Sequence, residues 1–426
     1  MRNPEISQNN IEESLTKICQ KVKEASADIA NLNSKIKNQI LLKIAERILD
    51  SSEKIIKANN LDIKNAKAAN IGAAKLDRLL LDEKRIAAIA AAVKDVAALP
   101  DPVGKITYDV KRDNGLHIRR ITVPLGVIAA IYESRPNVTS DIAALAFKSG
   151  NCTILRSGSE SYNSSRTIAA IYNQILKESA INQYAVHYID STDRAYVKAL
   201  LKMEDYIDVV IPRGGKELIK AISKDSKIPV FKHLDGNCHT YIESSADINK
   251  TCVIVTNAKM RRTGICGATE SLVIDSKIAE KFLPKIADSL CEKGCQIRGD
   301  QQAVAIDKRI TPASEEDYYT EYLDKIISVK IVNNIDEAIK HINKYSSTHT
   351  ESIITEDQKM VDKFFKEINS AIVMHNASTQ FADGGEFGLG AEVGISTGKL
   401  HARGPVGLEQ LVTYKYIVDA DCAVRK

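Results

Sequence analysis

Between Gly126 and Phe231 short apolar runs alternate with longer amphipathic ones, and this alternation restricts the chain to one class of architecture. Strands are predicted at 126–131, 152–156, 184–189, 207–211 and 228–231, with helices at about 138–149, 161–179, 192–202 and 215–223. Short, continuous apolar strands need cover on both faces, so the helices are crossovers and the strands run parallel. Ligands of such sheets bind outside the carboxyl ends of the strands. Three of those ends carry Arg135-Pro136-Asn137, Arg156-Ser157-Gly158-Ser159-Glu160 and Pro212-Arg213-Gly214-Gly215. No G-x-G-x-x-G follows the first strand, so the usual dinucleotide fingerprint is absent. Each turn taken alone is equally explained as a tight connection in which Gly and Ser are common.

A second alternation follows Asp235-Gly236-Asn237, with strands predicted near 240–243, 270–274, 303–306, 329–332, 351–354 and 371–374. Helices are expected at about 276–293, 335–345 and 356–368, while 247–258 reads equally as strand or helix. Upstream, Ile11 to Ala97 is helical, with Ile36, Ile40, Ile44 and Ile48 forming a stripe, and Pro100 and Pro102 end it. Lys105 to Val123 alternates in the manner of a hairpin around Asp113-Asn114-Gly115, and Leu408 to Val418 repeats the pattern. A lone hairpin is marginal in water, so the two segments are expected to pair. Exposed edges on that small sheet suit a second copy of the chain, giving a homo-oligomer, dimer or tetramer.

The resulting expectation is an α/β chain with two parallel-sheet, Rossmann-like domains and a small β oligomerisation sheet. A dinucleotide-binding domain takes 1–104 and 126–232, a catalytic domain 233–404, and the oligomerisation hairpin and last strand 105–125 and 405–426. A length of 426 residues suits such a division, being too long for one core. The 59 basic and 55 acidic residues are scattered, without a basic cluster that tracks a phosphate backbone, so nucleic acid is not an expected partner. No uninterrupted apolar run approaches a membrane span and Met1 to Asn10 lacks an apolar segment, which predicts a soluble, cytoplasmic protein.

Eight cysteines at 19, 152, 238, 252, 266, 291, 295 and 422 follow no disulfide framework. Cys291 and Cys295 lack a second pair at ligand spacing, so they are read as one face of a helix and no metal is expected. Cys266 differs from the rest. It lies between Gly264 and Gly267, which leave room for a ligand, and follows Lys259, Arg261 and Arg262, whose charge favours the nucleophilic thiolate. An inert buried thiol fits the local sequence equally well.

Four stretches in order carry a resemblance that weighs between these readings. They are Val123 to Ile128 leading to Glu133-Ser134-Arg135-Pro136-Asn137, Lys232 to His239, the loop of Cys266, and Phe387 to Gly407. Together they resemble the γ-glutamyl phosphate reductases (glutamate-5-semialdehyde dehydrogenases), a branch of the aldehyde dehydrogenase superfamily, over nearly the whole chain. The resemblance implies reduction of L-glutamyl 5-phosphate by NADPH in L-proline biosynthesis, with glutamate 5-kinase as a candidate partner. It implies Cys266 as nucleophile and Asn137 as an oxyanion donor beside the Cys266 backbone N–H. Arg156 takes the place of a lysine near the adenosine ribose, which fits a 2′-phosphate, with Ser159 in the same turn. Arg213, Gly214 and Gly215 match the turn at the pyrophosphate, and Glu321 a glutamate on the nicotinamide ribose. Arg262 and Arg135 are the expected substrate-binding residues.

Departures from the branch fall at Met260, Arg261, Gly267 and Gln380, the last where an arginine is expected after Ala377-Ser378-Thr379. His233 stands where hydrolytic aldehyde dehydrogenases carry a water-activating glutamate, and Asp235 is the nearest carboxylate. The competing readings are a hydrolytic NAD(P)-dependent aldehyde dehydrogenase and a catalytically dead binding protein of the same fold.

Overall fold

The structure is a computed structural model and describes residues 8–231 and 235–425, so the expectation placed on His233 lies outside the described residues. The chain divides into two compact units, Met1–Lys232 with Gly388–Gly394 and Val406–Lys426, and His233–Phe387 with Ile395–Pro405.

The first unit opens with helices Gln8–Ala30, Ser34–Asp50, Ser52–Ala68, Ala73–Leu79 and Glu83–Ala98. The side chains of Asn33 and Asp82 accept the Ile36 and Arg85 N–H groups, closing two helix starts that would otherwise leave donors unpaired. Ile40, Ile44 and Ile48 are buried as one stripe, while Ile36, in the first turn, is partly exposed. Strands β1 (Ile106–Lys111) and β2 (His117–Pro124) form the hairpin. Its turn needs Gly115, whose φ of +86° is left-handed.

Strands β3 (Val127–Tyr132), β4 (Cys152–Ser157), β5 (Val186–Tyr188) and β6 (Val209–Arg213) make a parallel sheet in the order β5-β4-β3-β6. Every residue of β3 and β4 is buried, as the continuous apolar runs require, and each large aliphatic side chain so placed contributes about 1.5–3 kcal/mol. The strand predicted at 228–231 is reduced to a single bridge between Val210 and Val230. Pro229 has no N–H to continue a ladder.

The second unit holds β7 (Cys238–Ile242), β8 (Thr269–Asp275), β9 (Gln296–Gly299), β10 (Thr311–Pro312), β11 (Ile326–Val332), β12 (Thr350–Ile354) and β13 (Ile372–His375). All are parallel, in the order β10-β9-β11-β8-β7-β12-β13. The expected strand at 303–306 is instead part of a helix, Gln301–Ile306, because the Asp300 side chain caps it by accepting from the Ala303 N–H. The neighbouring strand is β9, whose Gln296 and Arg298 disguise it among polar sequence. The ambiguous stretch is a helix, Ile248–Met260, capped by Asp247. Cys291 ends the helix Ser276–Cys291 and Cys295 lies beyond it, so the two do not share a helix face. Gly294 at φ +78° turns the chain between them.

A short antiparallel pair, β14 (Ile395–Ser396) and β15 (Gly404–Pro405), belongs to the same unit. The last strand, β16 (Val412–Asp419), returns to the first unit and pairs antiparallel with β2, so the predicted three-stranded sheet forms in the order β1-β2-β16. Among the described residues no helix is long and apolar enough to cross a membrane.

Candidate active site

In the first unit the chain runs from β3 out to β5 and returns to β6 on the other side of β3, so the strand order reverses between β3 and β6. Open α/β sheets bind ligands at such a reversal. A cleft of about 390 Å³ lies there, lined among others by Glu133, Arg156, Ser159, Arg194, Lys198 and Glu217. That size accommodates part of a dinucleotide. Gly158 N–H donates to the Tyr132 carbonyl at 2.6 Å, holding the β4 turn beside the end of β3. Glu133 accepts the Gly215 N–H at 2.9 Å, and a Cβ on Gly214 would lie 2.6 Å from the same carboxylate and 2.7 Å from Leu218. A side chain there would have to displace both.

Arg156 is 7% exposed, and its Nη2 donates to the Thr192 carbonyl at 2.8 Å, directly before the helix Arg194–Leu200. Burial foremost, with the nearby Arg194 charge adding to it, holds the guanidinium below its ordinary range. Its Nε is buried without a hydrogen-bond partner. An arginine stays charged in proteins, so an orphaned donor flanked by Arg194 and Lys198 suits an incoming anion. Glu160, Glu217 and Asp225 also line the cleft, which leaves the cations confined to the side of β4 and the following helices.

Asn137 begins the helix Asn137–Lys148, and its Nδ2 donates to Asp141 Oδ2 at 2.8 Å. Arg135 and Arg213 lie within electrostatic reach of Asp141. Arg213 does not line the cleft: its Nη1 would lie 2.7 Å from a Cβ on Gly394, whose φ is +143°.

In the second unit Cys266 occupies a half-buried loop between the helix Ile248–Met260 and β8. A Cβ on Gly236 would lie 2.1 Å from the Cys266 carbonyl oxygen and 2.7 Å from its Cα, so the 235–237 turn rests directly on the loop backbone. The turn is anchored by Asn237, whose Nδ2 donates to the Tyr318 and Tyr345 carbonyls at 2.8 Å each, and by Glu321, which accepts the Gly236 N–H at 2.8 Å. Ile372, Met374, Ala382 and Ile395 form an apolar cluster against which Cys266 packs. Cys238 Sγ donates to the Cys266 carbonyl at 3.1 Å.

Burial counts against five of the other seven thiols. It pushes the thiols of Cys19, Cys152 and Cys295 up to about 12, Cys238 well above the usual thiol range and Cys252 upward, which leaves them protonated at neutral pH.

The three cations before the loop are not equivalent. Lys259 is fully buried in an ion pair with Glu270, so it is neither solvated nor available to a substrate. Arg261 Nη1 donates to Gln380 Oε1 at 3.3 Å, and Gln380 Nε2 donates to the Ala258 carbonyl at 2.8 Å, so Gln380 braces the end of the helix. Arg262 is exposed next to the loop.

The aldehyde dehydrogenase family model matches residues 6–307. A γ-glutamyl phosphate reductase of Rhodospirillum rubrum is 51% identical over 90% of each chain. The crystal structure of the γ-glutamyl phosphate reductase from Thermotoga maritima superposes with a TM-score of 0.95 at 43% identity, covering 97% of this chain and 100% of that one. This chain belongs to the γ-glutamyl phosphate reductase branch of the aldehyde dehydrogenase family. It is therefore an oxidoreductase. A glyceraldehyde-3-phosphate dehydrogenase of Methanocaldococcus jannaschii, solved with NADP, shares the fold at 16% identity, with a TM-score of 0.69 over 96% of this chain and 95% of that one.

Within this reductase the residues singled out from the sequence fall into separate groups. Arg156 and Ser159 meet in the first-unit cleft, with Gly214 and Gly215 held at its edge by Glu133. Asn137, Arg135 and Arg213 gather about Asp141. Cys266, Glu321 and Arg262 belong to the second unit. Sequence reasoning passed over Glu133, Asp141, Arg194, Lys198 and Asn237. Glu133 and Asn237 stand inside the motifs that carried the resemblance, so those motifs held the signal. Asp141, Arg194 and Lys198 had none beyond helical spacing.

Proposed function

We propose that the chain reduces L-glutamyl 5-phosphate to L-glutamate 5-semialdehyde with release of phosphate, in cytoplasmic L-proline biosynthesis. The observation that carries this reading is the Cys266 loop, in which a half-buried cysteine packs against an apolar wall and its backbone rests on a glycine turn that admits no side chain. The names of the relatives support the substrate.

Cys266 as thiolate attacks the acyl carbon, forming a C–S bond. The negative charge gathers on the acyl oxygen, where the Asn137 amide and the Cys266 N–H donate to it. The bond to phosphate then breaks, and phosphate leaves as a stable anion without a strong general acid, with Arg262 and Arg135 offering charge to the substrate's anionic groups. NADPH, when bound, supplies the hydride that reduces the thioester. Cys266 finally departs as thiolate when the carbonyl re-forms as aldehyde. Arg156, Ser159, Arg194 and Lys198 would hold the 2′-phosphate end of the cofactor, Gly214 and Gly215 its pyrophosphate, and Glu321 the nicotinamide ribose.

NADP+ reduction by glutamate semialdehyde tests the reaction. The expected result is a strict requirement for inorganic phosphate; turnover without phosphate that yields glutamate would establish the hydrolytic reading instead.

The three-stranded sheet presents Tyr108, Tyr414, Tyr416 and Val418 about half exposed, and the first three flank Arg120, whose guanidinium sits 4.7 Å from the Tyr414 ring centroid. This supports a homo-oligomer built through the sheet. Tyr108→Glu with Tyr416→Glu is expected to lower the mass measured by light scattering to that of a monomer.

A further inference from the structure

An asparagine that stabilises an oxyanion must show its N–H edge, yet its amide can sit either way round at almost no intrinsic cost. The reading of Asn137 as oxyanion donor therefore requires something that decides between the two orientations. Asn137 Nδ2 donates to Asp141 Oδ2 at 2.8 Å, one helical turn along. An ionised carboxylate only accepts. Turning the amide over would set its carbonyl oxygen against that carboxylate, two acceptors with no proton between them. Since the amide nitrogen carries two hydrogens, the bond to Asp141 leaves the second for a ligand.

We propose that Asp141 is a positioning residue for the reaction, holding the Asn137 amide with its nitrogen toward the site of the developing oxyanion. This rests on the assignment of Asn137 as an oxyanion donor.

The charged and titratable groups facing Asp141 are Arg135 from the preceding turn, Arg213 from the end of β6, and Tyr172 from the helix Tyr162–Glu178. Tyr172 is hydrogen-bonded to Ser140 at 2.8 Å, and burial keeps it neutral by raising its phenol further. The two arginines favour the carboxylate but do not outweigh dense packing, which raises the Asp141 carboxyl to about 6 although its surface is partly open. The lock thus holds at neutral pH and loosens as pH falls through about 6, where a protonated carboxyl can donate to an inverted amide.

The same shift sets a trade between stability and activity. A folded-state carboxyl raised above its unfolded value binds protons more tightly when folded, so its contribution to stability falls as pH rises from about 4 to about 6. Asp141→Asn, neutral and of the same shape, should then match or exceed wild type in Tm at pH 8 while losing rate. A residue with only a structural role would lose both together.

The experiment measures kcat, KM and NADP+ affinity against pH for wild type, Asn137→Ala, Asp141→Asn, the double variant and Asp141→Glu. Removing an oxyanion donor outright costs on the order of 10²–10³ in kcat, and leaving it present but unoriented should cost about 10-fold. Expected for Asp141→Asn is that loss in kcat, a similar KM, a rate flat through pH 6, and no further loss when added to Asn137→Ala. Asp141→Glu, which keeps the ionised acceptor, should recover most of the rate, and NADP+ titration confirms folded protein in each case. If Asn137→Ala retains wild-type kcat, the oxyanion assignment fails and this inference with it. If Asn137→Ala is impaired but Asp141→Asn is not, or the two losses multiply, or Asp141→Asn raises only KM, the oxyanion assignment stands and the positioning role is overturned.

Discussion

The two parallel sheets carry their polar groups in different places. In the first unit β3 is apolar throughout, and its charged neighbours Glu133, Arg156 and Arg213 stand at or just past strand ends. In the second unit the strands themselves bury titratable side chains: His239 in β7, Glu270 in β8 and Glu351 in β12 are all 0% exposed. Glu351 accepts the His239 N–H at 2.8 Å and the Ser370 hydroxyl at 3.1 Å, while Glu270 is paired to Lys259. The first arrangement puts charges at strand ends, where Arg156 faces the cleft and Glu133 holds the Gly215 turn at its edge. The second commits such side chains to holding backbone in place around the Cys266 loop, at the cost of desolvating each one.

The largest expected effect tests whether one thiol of the second unit carries the chemistry. Cys266→Ala should lower kcat by about 10³-fold or more while NADPH binding to the first unit stays within twofold of wild type. An active Cys266→Ala beside an inactive Cys238→Ala would move the nucleophile to β7.

A second substitution asks whether the buried charges of the second unit are structural. Lys259→Met leaves Glu270 without its partner, and breaking a buried pair in this way costs about 3–5 kcal/mol. Burial already raises Glu270 to about 7 despite Lys259. Urea denaturation should show the loss, and adding Glu270→Leu should return most of it. Unchanged stability in Lys259→Met would mean that the pair is dispensable and that the contrast between the sheets is one of composition alone.

For the first unit the corresponding test is at the rim. Arg156→Ala should weaken NADPH binding by about 10- to 100-fold, as expected for a charge-assisted contact to phosphate, and NADH binding much less, with little change in Tm. Equal weakening of both cofactors, read by fluorescence titration, would place Arg156 away from the 2′-phosphate.

The smallest effect concerns pH. Burial foremost, aided by the charges of His239, Lys330 and Lys344, lowers His341 in the second unit to about 3. Its unfolded value is near 6.5, so below that pH the unfolded chain takes up a proton that the folded one refuses. Stability should fall with decreasing pH from about 6.5, by up to about 1.4 kcal/mol per pH unit for this group. His341→Leu should flatten the slope measured by denaturation at several pH values; an unchanged slope would assign it to other groups.

Much of this molecule is a matter of pattern, and pattern is visible in a chain before it folds. Continuous apolar runs announced β3, β4 and most strands of the second sheet, alternation announced β1, β2 and β16, and the order of four motifs announced the family. Local chemistry misled in places. Ala303 to Ile306 reads as a strand by composition, but an Asp300 cap nucleates a helix there, and β9 hides because Gln296 and Arg298 interrupt its apolar pattern. What the sequence by itself determined was the class of fold and the family, since each depends on residue type and spacing along the chain. What only the tertiary structure decided was what the charged residues are doing. Lys259, Arg261 and Arg262 look alike in one run of sequence, yet one is sealed against Glu270, one reaches Gln380 and one stands open beside Cys266. Burial and pairing set the cost and the availability of a charge, and both come from atoms far away in the chain.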